Sequence, residues 1–537
     1  MIIYREAQAF GLRVTRWVKA AQRGARFLLG RADALFNALY TWRFNPLYHT
    51  GALVVASFLI LAVTGVYLLL LYRIRAPYES VARLTAQPFA GRWIRTLHRY
   101  VSDLAIVAIV VHALRMFAQD HAWGPRARAW VSGVVLTVVF LVCGWTGYVM
   151  VWDSQAQLLA TAGARLLDIL PVFAGPIARA FTGEREIPNA FFFLNLFAHI
   201  AIPVGIALIL WIHVSRLARP HVMPPRPLLW GVVALFTALS IAWPVTMSPQ
   251  ADLLRLPTEV VFDVLYGFWL PFTQSVSVGW AWVGLVGVVG AALGLPYLTR
   301  PTPADARDAS WVNPRLCTGC EQCYHDCPYE AISMVRREDG REGFIAFVDP
   351  GSCVSCGICA GSCAPMVVGP PGRTGRDQLE DVRAFITAAG LSAEDVVLVV
   401  CRHSAAGGGA PIEGAPAFPV SCVGAMHSSV VEYLVRAGAG GVLIVSCPPR
   451  DCWNREGVAW LLERTHHGRE AELRDRVDRR RVSVVYAAER EGAALAAELD
   501  RFRRQVRRLE GSGKEHAIDL DDLCVPPEVL AADATVP

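Results

Sequence analysis

The chain has 537 residues, 54% of them hydrophobic and 18% charged, which is too long for one compact domain and too apolar for an ordinary soluble protein. Its net charge of +5 hides a split: residues 1–299 carry 24 Lys and Arg against 12 Asp and Glu, and residues 300–537 carry 27 against 34. This pattern points to a membrane domain fused to a soluble one; it excludes disorder, a collagen repeat and a disulfide scaffold, and the basic charge lies at membrane edges, so no nucleic acid is expected.

Residues 1–44 form a basic amphipathic segment, with Arg13, Arg16, Lys19, Arg23, Arg26 and Arg31 set among apolar groups, and read as a helix lying on the lipid surface. Residues 45–300 contain six apolar stretches, 51–72, 97–118, 129–152, 190–215, 228–248 and 275–299, each long enough to cross a bilayer. The second stretch carries His98, Arg99, Asp103, His112 and Arg115, which makes sense only if those groups work inside a bundle. Lys and Arg concentrate before the first span and, as Arg126, Arg128, Arg219 and Arg226, after the second and fourth. That bias makes this a multi-pass protein of a bacterial or archaeal cytoplasmic (inner) membrane, with both termini in the cytoplasm.

His98 and His112 are 14 residues apart, and so are His199 and His213. Fourteen residues advance a helix by about 21 Å and end about 40° short of four turns, so each helix presents two imidazoles on one face. Two such helices facing each other make two stacked bis-imidazole sites, suited to two b-type haems in a four-helix bundle. Gly51 and Gly65, and Gly133 and Gly147, keep the same spacing on neighbouring spans and let a flat macrocycle approach the backbone. Arg95 and Arg115 stand three residues from His98 and His112, where they can meet haem propionates.

The strings R-T-L-H at His98, H-A-L-R at His112, W-V-S-G-V-V-L at 130–136, G-Y-V-M-V-W-D at 147–153 and F-F-F-L-N-L-F-A-H ending at His199 resemble cytochrome b of bc-type complexes. The resemblance implies that His98 with His199 holds an outer haem and His112 with His213 an inner one. It also implies quinone as substrate. The outer quinol motif of that family, Pro-Glu-aromatic-aromatic, is replaced here by Pro257-Thr258-Glu259-Val260-Val261, so Glu259, Asp263 and Tyr266 are the outer candidates. Arg219 and His221, after the fourth span, are the inner candidates. The chain has no Rieske-like ligand set and no C-x-x-C-H for a c-type haem, so bifurcation to an outer iron–sulfur protein is not expected.

A Pro-rich linker at 296–305 leads into C-T-G-C-E-Q-C-Y-H-D-C-P from Cys317 and C-V-S-C-G-I-C-A-G-S-C-A-P from Cys353. Both are C-x2-C-x2-C-x3-C, the pattern of a two-cluster ferredoxin in which each fourth cysteine serves the other cluster. Cys317, Cys320, Cys323 and Cys363 should hold one [4Fe–4S] centre, and Cys353, Cys356, Cys359 and Cys327 the second; residues 301–372 form this ferredoxin-like α+β module. Residues 373–512 alternate short apolar strands with helices, as a doubly wound parallel α/β sheet does. Cys401, Cys422 and Cys447 each end a strand signal, and Cys452 follows in C-P-P-R-D-C, so the four converge on one sheet edge and suit a [2Fe–2S] cluster. This domain resembles the delta subunit of methyl-viologen-reducing hydrogenases, although Ser404 stands where that family often has a second cysteine. Cys143 and Cys524 read as plain thiols, and residues 513–537 as a tail.

The whole reads as a subunit of a quinone-linked oxidoreductase complex, moving electrons between the quinone pool and a separate cytoplasmic flavoprotein of the heterodisulfide-reductase or NAD(P)-linked kind, in a larger and dimeric assembly. The rival is a membrane anchor and electron relay with no quinone chemistry of its own.

Overall fold

The computed structural model describes residues 2–511, apart from 170–175, 182, 184–186, 216, 218, 256–260, 262, 301–307, 408–411 and 413. The candidate Glu259, Cys524 and the 513–537 tail therefore lie outside the described residues. The chain divides into two compact units, residues 1–25 with 49–300 and residues 26–48 with 301–537. Sequence boundaries make 1–44 a segment of its own; the contacts divide it. Helix α1 (Ile2–Phe44), interrupted at Thr41 (φ 61°, ψ 161°), gives its first part to one unit and its last part to the other. Lys19 and Gln22 both reach Asp120. Asn37 donates to Glu491 at 2.7 Å, and Trp42 packs edge-on against Tyr486.

The membrane unit contains α2 (Thr50–Leu71), α3 (Pro77–Ala86), α4 (Gly91–Ala118), α5 (Ala127–Val149), α6 (Ser154–Leu167), α7 (Asn189–Ser215), α8 (Arg226–Ala242), α9 (Leu270–Ser275) and α10 (Val278–Leu298). Helix α2 packs along α4, and α5 along α7. Among the described residues five helices are long and apolar enough to cross a membrane, not six: Thr50–Leu71, Gly91–Ala118, Gly124–Val149, Asn189–Ser215 and Val278–Leu298. The expected fifth span, 228–248, is the 17-residue α8. It stops at Ala242 because Trp243 precedes Pro244, and a residue before proline is driven out of the α region. Tight helix contacts need small residues, since lipid supplies no hydrophobic drive between helices. Ala105 and Ala108 of α4 meet that need, and Phe58 packs edge-on to Phe140 in the same core. Val63, Leu70, Leu208 and Val288 stay exposed, as groups meeting acyl chains should.

The soluble unit begins with a duplicated module. Strand β2 (Ile332–Arg336) pairs antiparallel with β3 (Phe344–Val348), and β1 (Trp311–Val312) with β4 (Val368–Gly369). Its two cysteine runs, 36 residues apart, repeat one backbone path. Gly319 and Ser355, Glu321 and Gly357, and Glu330 and Met366 are matching left-handed residues. Short helices α11 (Gln322–His325) and α12 (Ile358–Gly361) occupy matching places. The second half is the expected parallel sheet, in the order β6-β5-β7-β8: β5 (Val396–Cys401), β6 (Ala417–Val420), β7 (Gly441–Ser446) and β8 (Val482–Tyr486). Helix α13 (Gly375–Ala389) precedes β5, α14 (Ser428–Arg436) lies between β6 and β7, α15 (Gly457–His466) between β7 and β8, and α16 (Gly492–Gly511) follows β8. A capping box of Thr374 and Asp377 starts α13, and left-handed Gly390 ends it. Every residue of β5 and β7 is buried, so each strand reads as a continuous apolar run. Each fully buried Val, Leu or Ile there stabilises the unit by about 1.5–3 kcal/mol.

Candidate functional site

The four predicted histidines meet four predicted glycines, one to one. A Cβ added at Gly65 would lie 3.3 Å from His98 Cε1, and one at Gly147 would lie 2.9 Å from His199 Cε1. At the other level Gly51 faces His112 Cε1 at 3.1 Å and Gly133 faces His213 Cε1 at 3.4 Å. The glycines thus admit the edge of an imidazole, where the sequence suggested close approach of a macrocycle. The His98 and His199 ring centroids are 6.5 Å apart and tilted by 60°.

Each glycine follows a hydroxyl residue: Thr50, Thr64, Ser132 and Thr146. Sequence reading missed this, though the [ST]-G pairs were in plain view. Thr64 Oγ1 lies 2.8 Å from His98 Nδ1, Ser132 Oγ 2.9 Å from His213 Nδ1, and Thr146 Oγ1 2.9 Å from His199 Nδ1. In each case the hydroxyl also donates to the carbonyl three residues back, Leu61, Ala129 or Cys143. A hydroxyl whose proton is used in this way accepts from Nδ1–H, which fixes that tautomer and leaves Nε2 as a metal ligand. His199 Nδ1 also lies 3.0 Å from the Cys143 carbonyl, so Cys143 contributes through its backbone.

Asp263 and Tyr266 come together as predicted, with groups that the sequence did not assign to them. Asp263 accepts from Arg99, Tyr148, and the amides of Leu265 (2.8 Å) and Tyr266 (2.7 Å). Arg99 also holds Asp103, one turn along α4, and its guanidinium lies over the Tyr148 and Tyr266 rings. The Tyr266 hydroxyl is 3.0 Å from Ser102 Oγ, and its ring lies against Gly144. Arg95 binds Thr85 Oγ1 and the Val245 carbonyl, both at 3.0 Å. Arg115 is buried, 5% exposed. Arg219 follows α7 with φ 46°, and His221 is exposed two residues on.

In the soluble unit the cysteines gather in the predicted sets. Cys317, Cys320, Cys323 and Cys363 line one pocket, and Cys327, Cys353, Cys356 and Cys359 line a second. Cys363 and Cys327 thus each line the pocket of the other run. Amides point at the sulfurs: Ala331 N to Cys327 Sγ at 3.3 Å, and the equivalent Val367 N to Cys363 Sγ at 3.4 Å. Burial pushes the Cys359 thiol up to about 12 and Cys356 well above its ordinary value. Thiols packed so closely stay protonated unless cationic iron replaces the protons.

At the sheet edge the thiols are mutual neighbours: Cys401 interacts with Cys422 and Cys447, and Cys452 with the same two, so the four form a ring. All four are buried. Ser404 donates its hydroxyl to the Cys401 carbonyl at 2.8 Å, closing a turn, and Cys452 is the fourth member of the ring.

Three known families match the chain in succession. Cytochrome b/b6/petB covers residues 37–220, the 4Fe-4S dicluster domain 316–366, and the methyl-viologen-reducing hydrogenase delta subunit 413–510. A cytochrome b domain, a 4Fe-4S dicluster domain and a hydrogenase delta-subunit domain follow one another in this chain. The cytochrome b domain is similar to the menaquinol:cytochrome c reductase cytochrome b subunit of Geobacillus thermodenitrificans, at 29% identity over 163 residues, spanning 29% of this chain and 73% of that protein. The subunit of the same name from Bacillus subtilis (strain 168) is 28% identical over the same shares. A solved structure, "Hyperthermophilic respiratory Complex III", covers 47% of this chain and 75% of its own at 16% identity and a TM-score of 0.39. A cytochrome b domain implies haem b, and a dicluster domain implies iron–sulfur clusters. The residues present fit both: two imidazoles anchored at Nδ1 face each other at His98 and His199, and four thiols line each of two pockets.

Proposed function

We propose that the chain is the membrane-bound electron-transfer subunit of a quinone-linked oxidoreductase complex. The observation that carries this reading is the matched set of four histidines, four glycines and three hydroxyl anchors in one bundle, in the same chain as three cysteine sites. His98 with His199, and His112 with His213, hold two haems b. Cys317, Cys320, Cys323 and Cys363 hold one [4Fe–4S] cluster, Cys327, Cys353, Cys356 and Cys359 another, and Cys401, Cys422, Cys447 and Cys452 a [2Fe–2S] cluster. These groups, when bound, accept and release single electrons, so a two-electron quinol must be oxidised in two steps.

The polypeptide contributes the proton chemistry. Asp263 receives four donors, which fill a carboxylate's acceptor sites and make it an anchor for Arg99 and Tyr148. Asp103 is bound to Arg99 and 28% exposed, so it keeps acceptor capacity and is the better proton acceptor for a quinol beside Tyr148 and Tyr266. Arg219 and His221 border a second, inner quinone site. Both termini and the cysteine domains face the cytoplasm, and a separate flavoprotein there exchanges electrons with the terminal domain.

Membranes containing the protein, given a menaquinol analogue, should show reduction of the haem b band. Asp103→Asn should slow this at least tenfold with haem content unchanged, while Asp263→Asn should lower the yield of folded protein. Quinols of low and high potential that all leave the haems oxidised would make the chain an anchor and relay instead.

A further inference from the structure

The cysteine sites of the soluble unit are not equally placed with respect to one another. Gly457, which opens α15, fills the gap between the four-thiol ring and the ferredoxin module. A Cβ there would lie 3.3 Å from Cys422 Sγ and 3.4 Å from Ile358 Cδ1. Ile358 is fully buried and sits between Cys356 and Cys359. Gly424, two residues after Cys422, lies directly on the Gly457 backbone, and a Cβ at Gly357 would meet Ala425 Cβ at 3.2 Å. The loop carrying Cys452 makes a parallel contact, since Arg455 donates to the Pro328 carbonyl at 2.9 Å, one residue past Cys327. Both loops of the ring therefore touch neighbours of the set Cys327, Cys353, Cys356 and Cys359. Of the other set only Cys363 comes near this junction, through its neighbour Ser362; Cys317, Cys320 and Cys323 line their pocket with Val312, Met334 and Ala346.

One side chain ties the junction together. Arg464 of α15 is 0% exposed. It donates to Ser362 Oγ at 2.9 Å and to the Gly424 carbonyl at 2.8 Å, and it faces Asp326 at 3.7 Å. Asp326 also accepts from Ser362 (2.6 Å) and Arg469 (2.5 Å). Asp326 precedes Cys327, Ser362 precedes Cys363, and Gly424 follows Cys422 by two. A buried charge is retained only where several partners repay its desolvation, and these partners all belong to cysteine loops.

We propose that the four-cysteine ring exchanges electrons directly with the centre held by Cys327, Cys353, Cys356 and Cys359, across Cys422, Gly457, Ile358 and Cys356, and that Arg464 is the positioning residue that holds this junction. The centre held by Cys317, Cys320, Cys323 and Cys363 comes last in the order. The step moves one electron from a reduced ring centre to an oxidised [4Fe–4S] centre; no bond forms or breaks and no proton moves. The inference rests on the cluster assignment made above.

The test is power saturation of the [2Fe–2S] electron paramagnetic resonance signal in the full-length protein, poised at successive potentials with dithionite. A paramagnetic neighbour speeds spin relaxation, so relaxation should accelerate as one [4Fe–4S] centre becomes reduced. Cys356→Ser should move the potential at which this happens, or abolish the acceleration if its cluster fails to assemble; Cys320→Ser should do neither. Acceleration that follows Cys320→Ser, or that survives loss of the Cys356 cluster, overturns the order. Arg464→Met should weaken the acceleration with both cluster types still assembled, and Arg464→Lys should restore part of it; unchanged relaxation in Arg464→Met removes the positioning role. Absence of any [2Fe–2S] signal in the unmodified protein is a different failure, that of the cluster assignment.

Discussion

The membrane unit and the soluble unit hold their redox groups by opposite means. In the membrane unit the backbone is regular helix, and the site is made by register: an imidazole from one helix, a glycine and a hydroxyl from the next, repeated at a 14-residue step. In the soluble unit the backbone is irregular, and the site is made by conformation. Left-handed residues at Gly319, Glu321 and Glu330, repeated at Ser355, Gly357 and Met366, wrap the chain around a space. Non-glycine residues in that region cost of order 1 kcal/mol or more each, a strain that persists only where the surroundings hold it. Lipid explains the contrast. A helix satisfies its own amides in a bilayer, whereas an open cysteine loop there would leave amides unpaired.

The contrast can be broken first at its ligands. His213→Ala should remove one haem b of two and leave the outer one, read as a halved pyridine haemochrome. Fewer than two haems in the unmodified protein would end the paired-level account. Cys422→Ala should abolish the [2Fe–2S] signal of the reduced protein while the ferredoxin signals persist, because Cys422 lines neither ferredoxin pocket. A colourless but folded terminal domain would leave these cysteines as core residues.

A milder test grades the glycines. Methyl groups should disturb the histidines in the order of the space available, Gly147→Ala more than Gly51→Ala, then Gly65→Ala, with Gly133→Ala the least affected (2.9, 3.1, 3.3 and 3.4 Å). Haem retention after detergent extraction would rank them, and an inverted order would show that the glycines serve something other than the imidazole edge. Loop-built sites should show no such gradient.

The smallest effect is a matter of pH. Burial, with His467 and Arg479 nearby, pulls His466 down to about 4. Below its ordinary value of about 6.5 the unfolded chain gains a proton that the native one refuses, so stability falls as pH drops from 6.5 toward 4, by at most about 3 kcal/mol. His466→Gln should flatten that slope in denaturant titrations of the soluble signal; an unchanged slope would assign the pH dependence to other groups.

What the sequence made legible follows the same divide. The histidines, the glycines and the eight ferredoxin cysteines were readable because their spacing is itself the geometry. The three hydroxyl anchors were not read, since a threonine before a glycine gains meaning only when another helix brings an imidazole to it. Asp263 was read as a quinone-site acid, but its bonds to Arg99 and Tyr148 join positions more than 100 residues apart. The span at 228–248 was overextended because average hydropathy does not register the proline at 244. Arg464 gave no signal at all, because one arginine in a helical run looks like a solvated face.

The one-to-one meeting of glycine and histidine limits how this bundle can change over time. A single residue inserted between Gly133 and Gly147 would swing one glycine about 100° away from its histidine while its twin stayed in place. The same holds for 51–65, 98–112 and 199–213. Composition in these four stretches is free to drift, but length is not, so gain and loss of residues must be confined to the loops and to the second unit. A homologue carrying an odd insertion inside any of these stretches should have lost the site at one end of it.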